Sequence, residues 1–99
     1  MQQPEAIFRI VALDDHPMVL EGIQHILSTD SDIHCEGITN HTQLMQLLQK
    51  GQQVDLFILD LELPDADGFD VLKTIRQHYP DAAILIYTMH EEPWILARL

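Results

Sequence analysis

Short apolar runs in this sequence end in polar side chains whose types suit metal and phosphate chemistry. Asp14 and Asp15 directly follow the first run, Asp60 ends a later one, and Thr88 follows the last. Carboxylates that meet at one place repel each other, which raises their pKa values and costs stability unless a cation joins them. Mg²⁺ takes carboxylate and carbonyl oxygens and leaves a position for a phosphate oxygen. If the fold brings these residues together, they predict a Mg²⁺ site.

A carboxylate in such a place can also act as a nucleophile, and aspartyl phosphates are a known class of covalent intermediate. Phosphoryl transfer depends mainly on positioning and on neutralising the equatorial oxygens of the phosphoryl group. A metal ion, a hydroxyl group and a cationic side chain can share that task. The four residues therefore suit transfer of a phosphoryl group to an aspartate.

Each of these residues also has an ordinary structural interpretation. Asp14 or Asp15 could cap a helix that begins at Pro17, since Asp is a common N-cap and Pro suits the first helical turn. Asp60 could open a turn, and Thr88 could be an ordinary residue at a strand end. Three separate apolar runs end in such residues: the first in the pair Asp14–Asp15, a later one in Asp60 and the last in Thr88. We therefore favour the functional interpretation.

Strands and helices alternate in the predicted chain. Apolar runs predict strands, and apolar residues at helical spacing predict helices. The predicted strands cover residues 7–13, 33–38, 56–59 and 82–87, and the predicted helices begin at Pro17, cover 41–50 and 68–79, and begin again at Glu91. This alternation predicts an α/β fold with right-handed crossovers and a parallel sheet covered on both faces. In such sheets, ligands bind beyond the carboxyl ends of the strands, which is where the acidic residues fall.

The helices carry more specific predictions. The spacing predicts buried helix faces formed by Val19, Ile23, Ile26 and Leu27 in the first helix and by Leu44, Leu47 and Leu48 in the second. Gly51 is expected to end the second helix. We expect Asp67 to cap the third helix rather than to bind Ca²⁺, because the sequence around it lacks the further acidic positions of a Ca²⁺ loop.

The composition fits one globular domain, which we expect at residues 7–99 after a loose tail at 1–6. Of the 99 residues, 46% are hydrophobic and 21% are charged, and no apolar run approaches the ~20 residues that span a bilayer. The net charge of −11, from 16 acidic and 5 basic residues, argues against nucleic-acid binding by this segment, because phosphate backbones attract Lys and Arg. Cys35 is the single cysteine, so a reducing compartment fits.

Three stretches carry a specific resemblance: VALDDHP at 11–17, DLFILDLELPDADG at 55–68 and ILIYTMH at 84–90. Through them, and over nearly its whole length, the chain resembles the receiver domains of bacterial two-component response regulators. It is most similar to the LuxR/NarL type, which carries a C-terminal helix-turn-helix output domain. The resemblance implies a flavodoxin-like (CheY-like) doubly wound parallel sheet with strand order 2-1-3-4, followed in the family by a fifth strand and a last helix.

The resemblance also implies a role for each residue at the acidic strand ends. Asp60 resembles the phosphoacceptor and, with Asp15, a direct Mg²⁺ ligand. Asp14 resembles the acidic partner that acts largely through water, and the backbone carbonyl of Glu62 resembles the third protein ligand. Thr88 resembles the switch hydroxyl that hydrogen-bonds a phosphoryl oxygen. The implied partner is a sensor histidine kinase in the bacterial cytoplasm, and the implied output is transcription regulation through a DNA-binding domain outside this sequence.

Part of the family pattern is missing. Receivers carry a lysine at the end of the fifth strand, whereas Lys50 and Lys73, the two lysines here, fall in predicted helices. We therefore expect a chain truncated relative to a longer protein. Without a fifth strand, the run at 82–87 is an open apolar edge that invites pairing with another chain, so we expect a homodimer or larger assembly if the 99 residues are the whole protein.

Two other functions compete with a phosphorylation switch. One is an interaction or dimerisation module with a receiver fold that does not depend on phosphorylation, which the missing lysine favours. The other is a phosphatase of the haloacid-dehalogenase type, which also uses a strand-end Asp and Mg²⁺. That family requires a second Asp two residues after the nucleophile, where this chain has Glu62, and it leaves the Asp14–Asp15 pair unexplained. We therefore expect no turnover of a separate substrate.

Overall fold

Strands and helices alternate through residues 7–60 and 67–87, which are the residues that this computed structural model describes. In chain order the elements are β1 (Phe8–Leu13), α1 (Pro17–Leu27), β2 (Ile33–Ile38), α2 (His41–Lys50), β3 (Leu56–Asp60), α3 (Gly68–His78) and β4 (Ala83–Tyr87). The four strands form one parallel sheet in the order β2-β1-β3-β4. The predicted α/β fold and strand order are therefore confirmed, and the helix predicted from Glu91 lies outside the described residues.

Helices lie on both faces of the sheet. Successive side chains of a strand point to opposite faces, so they show which helix covers which face. Val11 and Leu13 of β1 belong to the main buried cluster, which also contains residues of α2 and α3. Ile10 and Ala12 are equally buried but lie outside that cluster, and α1 contacts β1 and β2. It follows that α2 and α3 cover one face, whereas α1 covers part of the other.

The predicted end of α2 and the predicted cap of α3 are confirmed, and α2 also has an N-cap that the sequence analysis did not predict. Asn40 accepts a hydrogen bond from the backbone of Gln43 at the start of α2, and Gly51 ends that helix with a left-handed φ of 67°. Asp67 caps α3 by accepting from the backbone N–H of Phe69 at 2.8 Å. These side chains satisfy backbone groups that a helix end leaves without an intrahelical partner.

The predicted buried face of α1 is wrong in part. Leu20 is the buried residue of this helix, whereas Ile26 is 69% exposed. Val19, Ile23 and Leu27 are half-buried. The periodicity was compatible with several neighbouring faces, and the sheet selects the one centred on Leu20. By contrast, the predicted buried residues of α2, which are Leu44, Leu47 and Leu48, are all buried.

Four predicted boundaries differ from the structure by one residue. β1 begins at Phe8, β3 extends to Asp60, and β4 begins at Ala83. The late start of β4 follows from the end of α3, because the N–H of Ala82 donates to the carbonyl of Tyr79 in the connecting turn. Tyr79 itself is the C-cap of α3 rather than its last residue.

Tyr79 connects the end of α3 to the segment that leads into β3. Its hydroxyl donates to the carbonyl of Gln52, and its ring packs edge-on against Phe57 with centroids 5.2 Å apart. At the edge of the sheet formed by the described strands, Leu85 of β4 is 55% exposed. None of the helices in the described part of the chain is long and apolar enough to cross a membrane.

Candidate metal centre

Asp14 and Asp60 lie next to each other at the carboxyl edge of the sheet. Asp14 directly follows β1, Asp60 ends β3, and the preceding residues Leu13 and Leu59 pair in the parallel register. Their side chains are almost fully buried, with 1% of Asp14 and none of Asp60 exposed. The sheet therefore places two carboxylates in the same row of neighbouring strands, shielded from solvent.

Asp15 and His16 complete a cluster with these two residues. Each of the four side chains offers one ligand atom, and these atoms all lie within 4.8 Å of one another. Buried carboxylates are costly unless they are paired or bind a metal ion. Three carboxylates supply hard oxygen donors of the kind that Mg²⁺ takes, so the residues present fit that ion.

His16 contacts both members of the acidic pair. Its Nδ1 lies 2.7 Å from Oδ1 of Asp14 and 3.0 Å from Oδ1 of Asp15. The hydrogen bond with Asp14 and the nearby charge of Asp15 raise the pKa of the His16 imidazole above its usual value. A protonated His16 thus places positive charge beside the two carboxylates, although its side chain is largely exposed.

Asp14 does not cap α1. The N-cap of that helix is His16, which makes no side-chain capping bond, and Pro17 follows it. Instead, Oδ1 of Asp14 accepts the backbone N–H of His16 at 2.8 Å, which is the local turn that Asp side chains form with the backbone two residues on. The structural interpretation as a helix cap is therefore excluded for Asp14.

Tyr87 holds the other oxygen of Asp14. The Tyr87 hydroxyl donates to Oδ2 of Asp14, 73 residues away in sequence. Burial alone would raise the pKa of Asp14, but hydrogen bonds from Tyr87 and His16 outweigh it and leave the pKa below its usual value. Burial, together with the bond to Asp14, raises the pKa of the Tyr87 phenol. Asp14 is therefore held as an anion and Tyr87 as a neutral donor.

The structure brings together three of the five predicted site residues. Asp14, Asp15 and Asp60 share one cluster, whereas Glu62 and Thr88 lie outside the described residues. The sequence analysis missed the contacts of His16 and Tyr87. Tyr87 pairs with Asp60 in the parallel register of β3 and β4, and no local sequence pattern reveals that relation.

Comparison with known proteins agrees with this geometry. The family described as "Response regulator receiver domain" matches residues 10–98. The chain is 31% identical over 94 residues to "Probable transcriptional regulatory protein NarL" of Mycobacterium tuberculosis, covering 95% of this chain and 43% of that protein. It is 36% identical over 94 residues to "Protein-glutamate methylesterase/protein-glutamine glutaminase" of Trichodesmium erythraeum, covering 93% of this chain and 26% of that protein.

A solved structure shows the same fold. It is RcsB from Salmonella enterica serovar Typhimurium, bound to the promoter rprA in the presence of the phosphomimetic BeF₃⁻, with a TM-score of 0.75 and 28% identity. The similarity covers 91% of this chain and 52% of that one. The chain thus spans from about a quarter to about half of the length of these relatives. With a family match over nearly all of its residues, the chain belongs to the response regulator receiver domain family of two-component systems.

Proposed function

We propose that this chain is a phosphorylation switch in which a sensor histidine kinase donates a phosphoryl group to Asp60. The observation that carries the proposal is the cluster of Asp14, Asp15 and Asp60 at the carboxyl edge of a parallel sheet. Asp60 is the buried member on the central strand β3. In a chain of the receiver family, this arrangement favours phosphoryl transfer over a purely structural role for the acids.

The acidic residues would divide the chemistry between them. Asp15 and Asp60, with the backbone carbonyl of Glu62, would hold Mg²⁺ directly, and Asp14 would act through water. When bound, Mg²⁺ supplies positive charge that neutralises the phosphoryl oxygens. An oxygen of Asp60 forms a bond to phosphorus while the bond from phosphorus to the donor histidine nitrogen breaks, which leaves an acyl phosphate on Asp60.

The surroundings of Asp60 support a nucleophilic role. A buried carboxylate has lost its hydration shell and does not have to shed water before it attacks. The lowered pKa of Asp14 keeps that neighbour charged at neutral pH. We propose that the Thr88 hydroxyl then donates to a phosphoryl oxygen, which would draw the end of β4 toward Asp60 and pass the change to the rest of the receiver.

The output is proposed from the relatives. NarL is named as a transcriptional regulatory protein, and the RcsB structure is bound to a promoter. We therefore propose that the receiver, at residues 7–99, controls transcription in the bacterial cytoplasm as a homodimer. DNA contacts would be made by a helix-turn-helix domain in a longer protein, because the charge of −11 disfavours them here. The similarity to a protein-glutamate methylesterase supports an enzyme domain as the alternative output.

The test is phosphorylation of the 99-residue chain by acetyl phosphate with Mg²⁺, followed by intact-mass spectrometry. We expect one added phosphoryl group, lost in Asp60→Asn and retained in Asp81→Asn. Asp81 is a matched control because it is an exposed acid in the turn before β4. Absence of the added group on the unchanged chain would favour the interaction module described next, whereas its persistence in Asp60→Asn would refute the assignment of Asp60.

The same experiment distinguishes the phosphorylation switch from the main alternative, which is an interaction module that does not use phosphate. Lys50 and Lys73 lie on α2 and α3 and are exposed, so neither occupies a strand end where the family places its lysine. The alternative predicts that the chain takes up no phosphoryl group. Stoichiometric labelling of Asp60 would reject it. Hydrolysis of a generic phosphate ester, which we do not expect, would favour a phosphatase.

A further inference from the structure

We propose that Tyr87 is a positioning residue of the metal centre and that it makes the site prefer Mg²⁺ over Ca²⁺. This inference rests on the proposed function, because it concerns the ion that the acidic cluster binds. It assigns to Tyr87 a role that the resemblance does not imply, since the switch hydroxyl of that resemblance is the next residue, Thr88.

The register of the sheet explains how Tyr87 reaches Asp14. Tyr87 pairs with Asp60, and Asp60 lies beside Asp14 because Leu13 pairs with Leu59. The three residues therefore share one row and one face of the sheet. Since β3 separates β1 from β4, the Tyr87 side chain passes across the end of β3 to place its hydroxyl on Oδ2 of Asp14.

With Tyr87 in place, both oxygens of Asp14 have donors. Oδ2 accepts the Tyr87 hydroxyl, and Oδ1 accepts the backbone N–H of His16 at 2.8 Å and contacts the His16 ring at 2.7 Å. Two donors on opposite oxygens fix the rotation of the carboxylate. Tyr87 is the donor that comes from a distant strand, whereas His16 is a local neighbour, so Tyr87 links the position of β4 to the orientation of Asp14.

A fixed orientation of the Asp14 carboxylate matters more for the binding of Mg²⁺ than for the binding of Ca²⁺. Mg²⁺ demands nearly ideal octahedral geometry and keeps several waters, whereas Ca²⁺ takes six to eight oxygens in flexible arrangements and accepts bidentate carboxylates. If Oδ2 were released, Asp14 could turn and offer both oxygens, which suits Ca²⁺. Hydrogen-bond partners of metal-site carboxylates typically change metal affinity by about 10–100-fold when they are removed.

The chain offers a matched control in its other tyrosine. Tyr79 also donates its hydroxyl to a protein oxygen, the carbonyl of Gln52, and it is half-buried like Tyr87. Gln52 lies in the segment before β3, whereas the acidic cluster lies at the carboxyl ends of β1 and β3. Tyr79→Phe therefore removes a comparable hydrogen bond without touching the acidic cluster.

The experiment is calorimetric titration of the metal-free 99-residue chain with MgCl₂ and, separately, with CaCl₂. In Tyr87→Phe we expect the Kd for Mg²⁺ to rise about tenfold and the Kd for Ca²⁺ to change by less than about threefold, because Ca²⁺ tolerates the freed carboxylate. Tyr79→Phe should leave both constants unchanged. In an Asp14→Ala background, which removes the acceptor, Tyr87→Phe should have no further effect, since the two residues act through one bond.

Equal weakening of the binding of both ions in Tyr87→Phe, no change in either, or a full effect in the Asp14→Ala background would each overturn the inference. Failure of the unchanged chain to bind Mg²⁺ would overturn the proposed function as well. Normal Mg²⁺ binding and phosphorylation of the unchanged chain, with no effect of Tyr87→Phe on the preference between the ions, would refute only the role of Tyr87.

A second measurement does not require a substitution at Tyr87. In the Tyr79→Phe chain, Tyr87 is the only tyrosine left of the two, so fluorotyrosine labels it alone. We expect its ¹⁹F resonance to shift during Mg²⁺ titration with the same Kd as the calorimetry, and to shift differently with Ca²⁺. A resonance that responds to neither ion would contradict the proposed contact with the metal centre.

Discussion

Asp60→Asn is expected to stabilise the metal-free protein, although it removes the proposed phosphoacceptor. The ligand atoms of Asp14, Asp15 and Asp60 lie within 4.8 Å of one another. At that separation and an effective dielectric constant of about 20, each pair of negative charges repels by about 3.5 kcal/mol. An amide at position 60 keeps the shape of the side chain but removes the repulsion with both neighbours.

The net gain should be smaller than the sum of the two pairs. His16 lies 2.7 Å from Asp14 and 3.0 Å from Asp15, and its raised pKa brings compensating positive charge to the site. We therefore expect the free energy of unfolding of Asp60→Asn in EDTA to exceed that of the unchanged chain by about 2 kcal/mol. For a chain of this size, that gain corresponds to a rise in Tm of about 8–16 °C.

Mg²⁺ should reverse this difference. A ligand at 100 times its Kd stabilises the folded state by about 2.7 kcal/mol, and the unchanged chain should gain this stabilisation while Asp60→Asn loses most of it. The assay is urea denaturation followed by circular dichroism, with and without Mg²⁺, and Asp81→Asn as the exposed control, expected within about 0.5 kcal/mol of the unchanged chain. A lower stability of Asp60→Asn in EDTA, or equal stabilisation of both chains by Mg²⁺, would refute the electrostatic reasoning.

Three further predictions concern the core, a helix end and the cysteine. Leu44 is fully buried, so Leu44→Ala should lower the free energy of unfolding by about 2–5 kcal/mol in urea titrations. Gly51 has a φ of 67°, so Gly51→Ala should cost about 1 kcal/mol in the same assay, because a Cβ disfavours the left-handed region. Burial and the neighbouring charge of Glu36 raise the pKa of the Cys35 thiol. Alkylation by iodoacetamide should therefore be slower in the native protein than in urea and should accelerate at a higher pH. The pKa of the Cys35 thiol is higher in the folded than in the unfolded chain. The stability that this difference contributes is fully present below the unfolded-state pKa and is lost as pH rises through the folded-state pKa. An equal alkylation rate in the native and unfolded chains would contradict this.

Local sequence patterns determined the alternation of strands and helices and the strand-end positions of the acidic residues. Asp14, Asp15 and Asp60 follow from the apolar runs before them, because the carboxyl ends of parallel strands must meet at one edge of the sheet. The cap at Asp67 and the stop at Gly51 were equally readable, since they depend on interactions within a few residues. The order of the strands came from the family resemblance rather than from any local pattern.

Tertiary structure decided which face of α1 is buried and what surrounds Asp14. Helical spacing allowed several adjacent faces, and only packing against β1 and β2 selects Leu20 and leaves Ile26 exposed. The bond from Tyr87 to Asp14 joins the end of β4 to the residue that follows β1, and these two strands are not neighbours. No local pattern predicts such a contact, because it depends on the strand order and the parallel register together. The sequence by itself therefore predicted the acids of the candidate metal centre, and only the folded sheet determined the groups that hold them in place.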